Sequence, residues 1–283
     1  MQDRRHQRSL PEWPLLILAI ALVGAVCFPL WSLLAPPSAS GGVLTAERVG
    51  RMVLGPEQIA CYACFVWACL ILALRYREVK RQQSALGLDL LPSDESLRIL
   101  PEDARPLERR VQQLTEKGGP YLLAKMIRLA LNKFAISRSP QDASETVRSQ
   151  ADVELGRMST GMATVQYLAW AIPAIGFLGT VRGIGLALTV APTLTDESLP
   201  SFLDVTTRCL AVAFDTTLVA LVLSLVLMYL IHAVQRDQED LVLDAQEYCL
   251  ERLVSKLYDL EKSPSPALEM DAVELGTERS WPV

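Results

Sequence analysis

The chain has 283 residues, of which 51% are hydrophobic and 21% are charged, and its formal net charge is -5. The mean hydropathy of +0.25 is high for a soluble domain, and long charge-free stretches alternate with strongly charged ones, as in membrane proteins. The acidic balance provides no general basic field for nucleic acid. The sequence therefore predicts an all-α, polytopic membrane protein with no nucleic-acid partner.

Two apolar runs near the N-terminus predict a first transmembrane hairpin. The first run, residues 14–34, carries no charge and has a tryptophan near each end, where amphipathic rings favour the headgroup level. A signal peptide is the alternative interpretation, but Pro29 and Trp31 fit poorly with a small-residue cleavage site. The second run, 58–74, is near the short limit for a spanning helix. Basic residues before the first run and after the second place both flanks in the cytoplasm.

The charged, helix-forming sequence from 75 to 161 predicts a cytoplasmic helical domain. Residues 121–136 place apolar side chains at helical spacing, which indicates a bundle helix. Ser139 is expected to cap the next helix, with Pro140 as its first residue and Asp142 in its first turn. Nothing in the sequence stops this helix before the membrane.

Two further apolar runs predict a second transmembrane hairpin, with a third span at 162–190 and a fourth at 206–231. A short polar turn containing Pro192 and Pro200 joins them, so the two spans are antiparallel and the turn faces outward. No helix breaker follows the fourth span before Ser263, which predicts that it continues into the cytoplasm as one helix. An apolar stripe on that extension is expected to pack on another helix: Val242, Cys249, Leu253, Leu257 and Leu260.

The predicted topology has four transmembrane helices and both termini in the cytoplasm. Its parts are a basic N-terminus (1–13), a first transmembrane hairpin (14–74), a cytoplasmic helical domain (75–161), a second transmembrane hairpin (162–231), a cytoplasmic helix (232–262) and an acidic, disordered tail (263–283).

The second hairpin holds two charges inside apolar spans, where an unpaired charge costs several kcal/mol. Because the spans are antiparallel and joined by a short turn, Thr180 is expected at the depth of Thr217, and Arg182 at the depth of Asp215. Residues two apart on a helix point in nearly opposite directions. The sequence therefore predicts a polar lining formed by the threonines on one face and a buried interaction between the two charged residues on the other.

The same residues carry a family resemblance. The third span contains Pro173, Gly176, Leu178-Gly179-Thr180 and Gly183-Ile184, and the fourth reads Ala213-Phe214-Asp215-Thr216-Thr217-Leu218-Val219-Ala220-Leu221. These motifs, in this order on consecutive spans, resemble the channel domain of the MotA/TolQ/ExbB proton-channel family over about 162–260. The four-span layout is closer to MotA than to the three-span TolQ and ExbB.

The resemblance implies a proton-conducting subunit of a bacterial inner-membrane motor that couples ion flow to mechanical work. It implies a homo-pentameric ring around a pair of single-span partner helices of the MotB/TolR/ExbD type, which supply the proton-accepting aspartate. Thr180 and Thr217 match threonines of the proton path, and Pro173 matches a proline whose missing hydrogen bond permits a hinge. It implies no enzyme activity, cofactor or metal. Proton versus sodium selectivity and the process powered are left open.

Arg182 and Asp215 depart from the family pattern, in which apolar, aromatic or small residues are common at these positions. A cation facing the lumen would repel protons. We therefore expect Arg182 and Asp215 to form an ion pair, within or between subunits, away from the lining.

Two other functions are compatible with the sequence. One is a non-conducting membrane scaffold that holds a partner complex through the same helix packing. The other is a membrane redox protein that uses Cys61 and Cys64, although this CxxC pair has no second pair or nearby histidine to complete a metal site, and packing explains it more simply.

Overall fold

The computed structural model describes residues 12–34, 55–87, 90–91, 98–115, 119–189 and 199–258. The predictions for residues 1–11, for most of the polar turn between the third and fourth spans, and for the acidic tail lie outside these ranges. Seven α-helices account for most of the described residues: α1 (Glu12–Leu34), α2 (Pro56–Gln83), α3 (Ala104–Thr115), α4 (Leu122–Ser137), α5 (Pro140–Gly161), α6 (Ala163–Thr189) and α7 (Leu199–Arg252).

Three helical stretches in the described ranges are long and apolar enough to cross a membrane, namely Pro56–Gln83, Pro140–Thr189 and Val205–Lys256. The second predicted span, short by sequence, thus belongs to a helix of 28 residues. The first predicted span has a shorter apolar stretch, Trp13–Pro29, within the described residues. The all-helical fold with long apolar helices is therefore confirmed, while the four-span count stays a prediction.

The described residues of Met1–Glu78 and Met158–Asp237 form one compact unit. Its core consists of apolar side chains from α2, α6 and α7, with Leu15 of α1 packed against it. Burial of these faces is what holds α2 against the α6–α7 hairpin. The buried set is Cys61, Ala68, Ile71, Leu72, Met162, Val165, Leu168, Ala169, Ile172, Ala220, Leu227, Ile231 and Val234.

The described residues of Val79–Arg157 and Gln238–Val283 form a second unit. Its α4 buries the apolar stripe that the helical spacing predicts, including Met126, Leu131 and Phe134. Glu154 is only 4% exposed, and its Oε1 accepts hydrogen bonds from Lys125 Nζ at 2.6 Å, Gln150 Nε2 at 2.8 Å and Arg157 Nη1 at 3.1 Å. These donors compensate for burying the carboxylate.

The described α5 agrees with the sequence prediction, because it starts at Pro140 and runs without a break to the start of the predicted third span at 162. The helix begins at Pro140, where the Asp142 amide lies 3.5 Å from Ser139 Oγ. It ends at Gly161, and a turn at Met162 separates it from α6. The Gly161 carbonyl accepts a hydrogen bond from Arg75 Nη2 at 3.0 Å. A contact between distant parts of the chain thus satisfies a backbone group beside this break, which local sequence does not reveal.

The helix predicted to extend from the fourth span to residue 262 ends earlier, at Arg252. A short 3-10 helix, Val254–Lys256, follows it. The next residues pair with Ile99, whose amide donates to Lys256 O at 2.8 Å and whose carbonyl accepts from Tyr258 N at 3.1 Å. Leu257 remains buried, as the apolar stripe predicts, but in extended backbone. Leu260 lies outside the described residues.

Candidate functional site

A seam of small residues joins α6 and α7. Gly176, Gly179 and Gly183 are spaced by three and four residues, so they lie on one face of α6, and all three are buried. A Cβ atom added at each would come within 2.5, 2.6 and 2.7 Å of the Ala220 Cβ, the Thr216 Cγ2 and the Ala213 Cβ of α7, respectively. Only glycine permits this approach, which is the close backbone contact expected of small residues in membrane helices.

This seam sets the relative depth of the two predicted path residues. Gly179 contacts Thr216, and Thr180 and Thr217 are their immediate neighbours in sequence. Because the helices are antiparallel, one step along each chain moves the two threonines in opposite directions, so they lie within about two residue rises, roughly 3 Å, of the same level. Neither hydroxyl donates across the seam, since Thr180 Oγ1 donates to Phe177 O at 2.6 Å and Thr217 Oγ1 donates to Ala213 O at 3.0 Å. Each oxygen keeps lone pairs that can accept a bond from water.

The structure adds a buried polar pair that the sequence analysis did not single out. Gln58 of α2 and Thr216 of α7 are each 1% exposed, and Gln58 Nε2 donates to Thr216 Oγ1 at 3.2 Å. The Thr216 hydroxyl in turn donates to Val212 O at 2.7 Å. Gln58 stands at the predicted start of a span, where a polar residue looks like a boundary, and Thr216 lies beside the motif threonine Thr217. The available signal was a glutamine at the start of the otherwise apolar run 58–74.

Arg182 of α6 forms an ion pair with Glu57 in the first turn of α2. Glu57 is largely buried, whereas more than half of the Arg182 side chain is exposed. Within one chain the partner of Arg182 is therefore Glu57, which corrects the predicted pairing with Asp215. Glu57 was assigned by sequence to the connection before the second span, so it was not considered as a partner. A pairing of Arg182 with Asp215 between subunits stays a prediction.

Pro173, the predicted hinge residue, lies inside α6. Two side chains of other helices reach carbonyls beside it. Ser224 Oγ of α7 lies 3.0 Å from Ala169 O, and Cys61 Sγ of α2 lies 3.7 Å from Ile172 O. Cys61 is buried, and both it and Cys64 are free thiols. The proline turn is thus bonded to α2 and to α7.

The faces of α6 and α7 away from the seam are apolar and exposed in the single chain. Such a large apolar surface is expected to contact lipid or other protein. Side chains with more than half of their surface exposed include Tyr167, Trp170, Phe177, Leu178 and Val181 of α6 and Phe214, Leu218, Leu221, Leu225 and Tyr229 of α7.

A sequence model of the MotA/TolQ/ExbB proton channel family matches residues 119–247. The match covers α4, α5, α6 and most of α7, and it begins before the segment in which the motifs carry the resemblance. The resemblance to this family is thereby confirmed over residues 119–247. No curated protein and no solved structure matched the chain.

Proposed function

We propose that this chain is the ion-conducting subunit of an inner-membrane motor, in which protons flow past the α6–α7 hairpin and drive mechanical work. The family match across this hairpin carries the proposal, because the matched family is described as proton channels. The electrochemical gradient supplies about 2.3 kcal/mol per charge per 100 mV, so a few protons can drive a conformational step. The chain itself is not an enzyme and needs no cofactor.

Thr180 and Thr217 form the polar lining of this path. Their hydroxyls lie at nearly one level and are both half-buried. A hydroxyl that donates to its own helix still accepts a hydrogen bond from water, and it stays neutral while doing so. Such groups can stabilise a passing hydrated proton without trapping it as a carboxylate would. Sodium ions, which oxygen atoms also coordinate, remain a second transported ion to be tested.

The working unit is a ring of five copies around a dimer of single-span partners resembling MotB, TolR or ExbD, whose aspartate accepts the proton. The exposed apolar faces of α6 and α7 provide surface for both kinds of contact. In the bacterial inner membrane, the basic cluster after the second span places that flank, and both termini, in the cytoplasm. The cluster consists of Arg75, Arg77, Lys80 and Arg81.

The test uses the full chain co-expressed with a candidate partner that has one span and an intramembrane aspartate. We expect the two to co-purify, and lipid vesicles that contain both to dissipate a pH gradient faster than vesicles that contain the chain alone. Replacing sodium with potassium in the buffer separates proton from sodium conduction. A stable complex with no flux would instead support the non-conducting scaffold. Loss of activity on changing both Cys61 and Cys64 to alanine would favour the redox function.

A further inference from the structure

Pro173 leaves one carbonyl of α6 without its usual partner. In an α-helix the amide of residue 173 would donate to the carbonyl of residue 169, but proline has no N–H. The carbonyl affected is that of Ala169, which belongs to the buried core of the helix packing. Because an apolar membrane interior offers no water as a substitute, a neighbouring group must supply a donor.

Ser224 of α7 is placed to supply it. Its Oγ lies 3.0 Å from Ala169 O. Serine and threonine in membrane helices ordinarily bond to their own helix, as Thr216 and Thr217 do on the same α7. Ser224 instead reaches across to α6. The tight contact of Gly176 with Ala220, one turn earlier on α7, brings the helices close enough for this short side chain.

We propose that Ser224 is a positioning residue, whose hydroxyl replaces the hydrogen bond that Pro173 removes and thereby holds the Pro173 turn against α7. The bond joins two helices, so the turn can move away from α7 without breaking the backbone ladder of either. In the released state the serine hydroxyl can bond to the Ala220 carbonyl of its own helix, four residues earlier. Ser224 thus controls a hinge whose two positions both satisfy the hydroxyl, while the Ala169 carbonyl has its donor only when the turn is held against α7, which favours that position. The role of this hinge in conduction rests on the proposed function; the hydrogen-bond replacement does not.

A double-mutant cycle tests the replacement. Pro173→Ala restores the amide at 173, so the Ala169 carbonyl no longer depends on Ser224. Using the purified full chain in lipid nanodiscs, we expect Ser224→Ala to lower Tm by about 1–3 °C in the Pro173 background and to leave Tm unchanged in the Pro173→Ala background. Thr189→Ala serves as the control, because the Thr189 hydroxyl bonds its own helix, to Leu186 O at 2.7 Å. The Tm change caused by Thr189→Ala should be additive with that caused by Pro173→Ala.

An equal loss of stability in both backgrounds, or no loss in either, would overturn the proposal. Should Pro173→Ala fail to fold, Pro173→Leu restores the same amide and takes its place in the cycle. Ser224→Thr keeps the hydroxyl and should retain part of the Tm difference between wild type and Ser224→Ala. Ser224→Cys has a similar shape but is a weaker donor, so it should lose most of that difference.

Ion flux with the partner tests the hinge. We expect Ser224→Ala to change flux severalfold in the Pro173 background and to have no effect in the Pro173→Ala background. If Ser224→Ala lowers Tm only in the Pro173 background but does not change flux, the hinge role is overturned and the hydrogen-bond replacement stands. If the wild-type complex conducts no ions, the proposed function fails, but the stability cycle still decides between replacement and ordinary packing.

Discussion

Gln58 and Thr216 link α2 to α7 through a buried hydrogen bond of 3.2 Å between the Gln58 amide nitrogen and the Thr216 hydroxyl oxygen. The Thr216 side chain also lies against Gly179 of α6. One small residue therefore contacts both other helices of the unit core. The Gln58 Oε1 atom is buried and has no partner among the described residues, so the amide depends on this one bond.

Thr216→Val should destabilise the chain more than Gln58→Met. The valine leaves the Gln58 amide buried without an acceptor, at a cost of about 1–2 kcal/mol, whereas methionine replaces the amide with an apolar chain of similar length. The double variant should recover most of the loss. Denaturant titration of the purified chain measures all three variants, and strictly additive losses would show that the two residues do not interact.

The glycine seam predicts a sharp difference between glycines of one helix. Gly176→Ala should cost about 1–3 kcal/mol, because its Cβ would meet the Ala220 Cβ at 2.5 Å and the helices must separate. Gly185→Ala is the matched control on α6, since a Cβ there meets nothing within 4 Å. It should be neutral or slightly stabilising through its higher helix propensity. Similar melting temperatures for the two variants would mean that the seam is looser than described.

The Arg182–Glu57 pair predicts a charge-swap rescue. Glu57→Gln alone should lower stability by under about 1 kcal/mol, because the arginine is more than half exposed and is partly solvated. The double variant Glu57→Arg with Arg182→Glu forms the same ion pair with the charges exchanged, so it should recover part of the stability that Glu57→Gln loses.

Asp215→Asn tests a pairing of Arg182 between subunits. If this variant reduces ring assembly in native gels while monomer stability is retained, that pairing is supported. Unchanged assembly and flux would remove Asp215 from any required pair.

Sequence reasoning located the hairpin because its signals are local and regular. The apolar length, the short turn and the motif glycines predict two antiparallel helices, and antiparallel geometry then relates Thr180 to Thr217 with no further information. The start of α5 was predictable for the same reason, since Ser139 and Pro140 act on neighbouring backbone.

The features that sequence reasoning missed depend on contacts between distant segments. Arg182 pairs with a residue more than a hundred positions away that lies in the first turn of α2, and nothing in the local pattern distinguishes Glu57 from a solvated loop residue. The bond from Ser224 to Ala169 requires both the missing proline amide and the closeness of the seam. The early end of α7 follows from pairing with Ile99. In each case, a contact between residues far apart in the sequence determines the structure, and the local pattern does not contain it.

The most direct test of ion conduction along this hairpin is proton flux through vesicles containing the chain and its partner, with Thr217→Ala compared with Thr217→Ser. The alanine variant should assemble normally yet lose about tenfold or more of the flux, equivalent to about 1.4 kcal/mol, while serine keeps the hydroxyl and most of the flux. Thr189→Ala, which removes an exposed hydroxyl bonded to its own helix, controls for general effects. Unchanged flux in Thr217→Ala would contradict a path along Thr217.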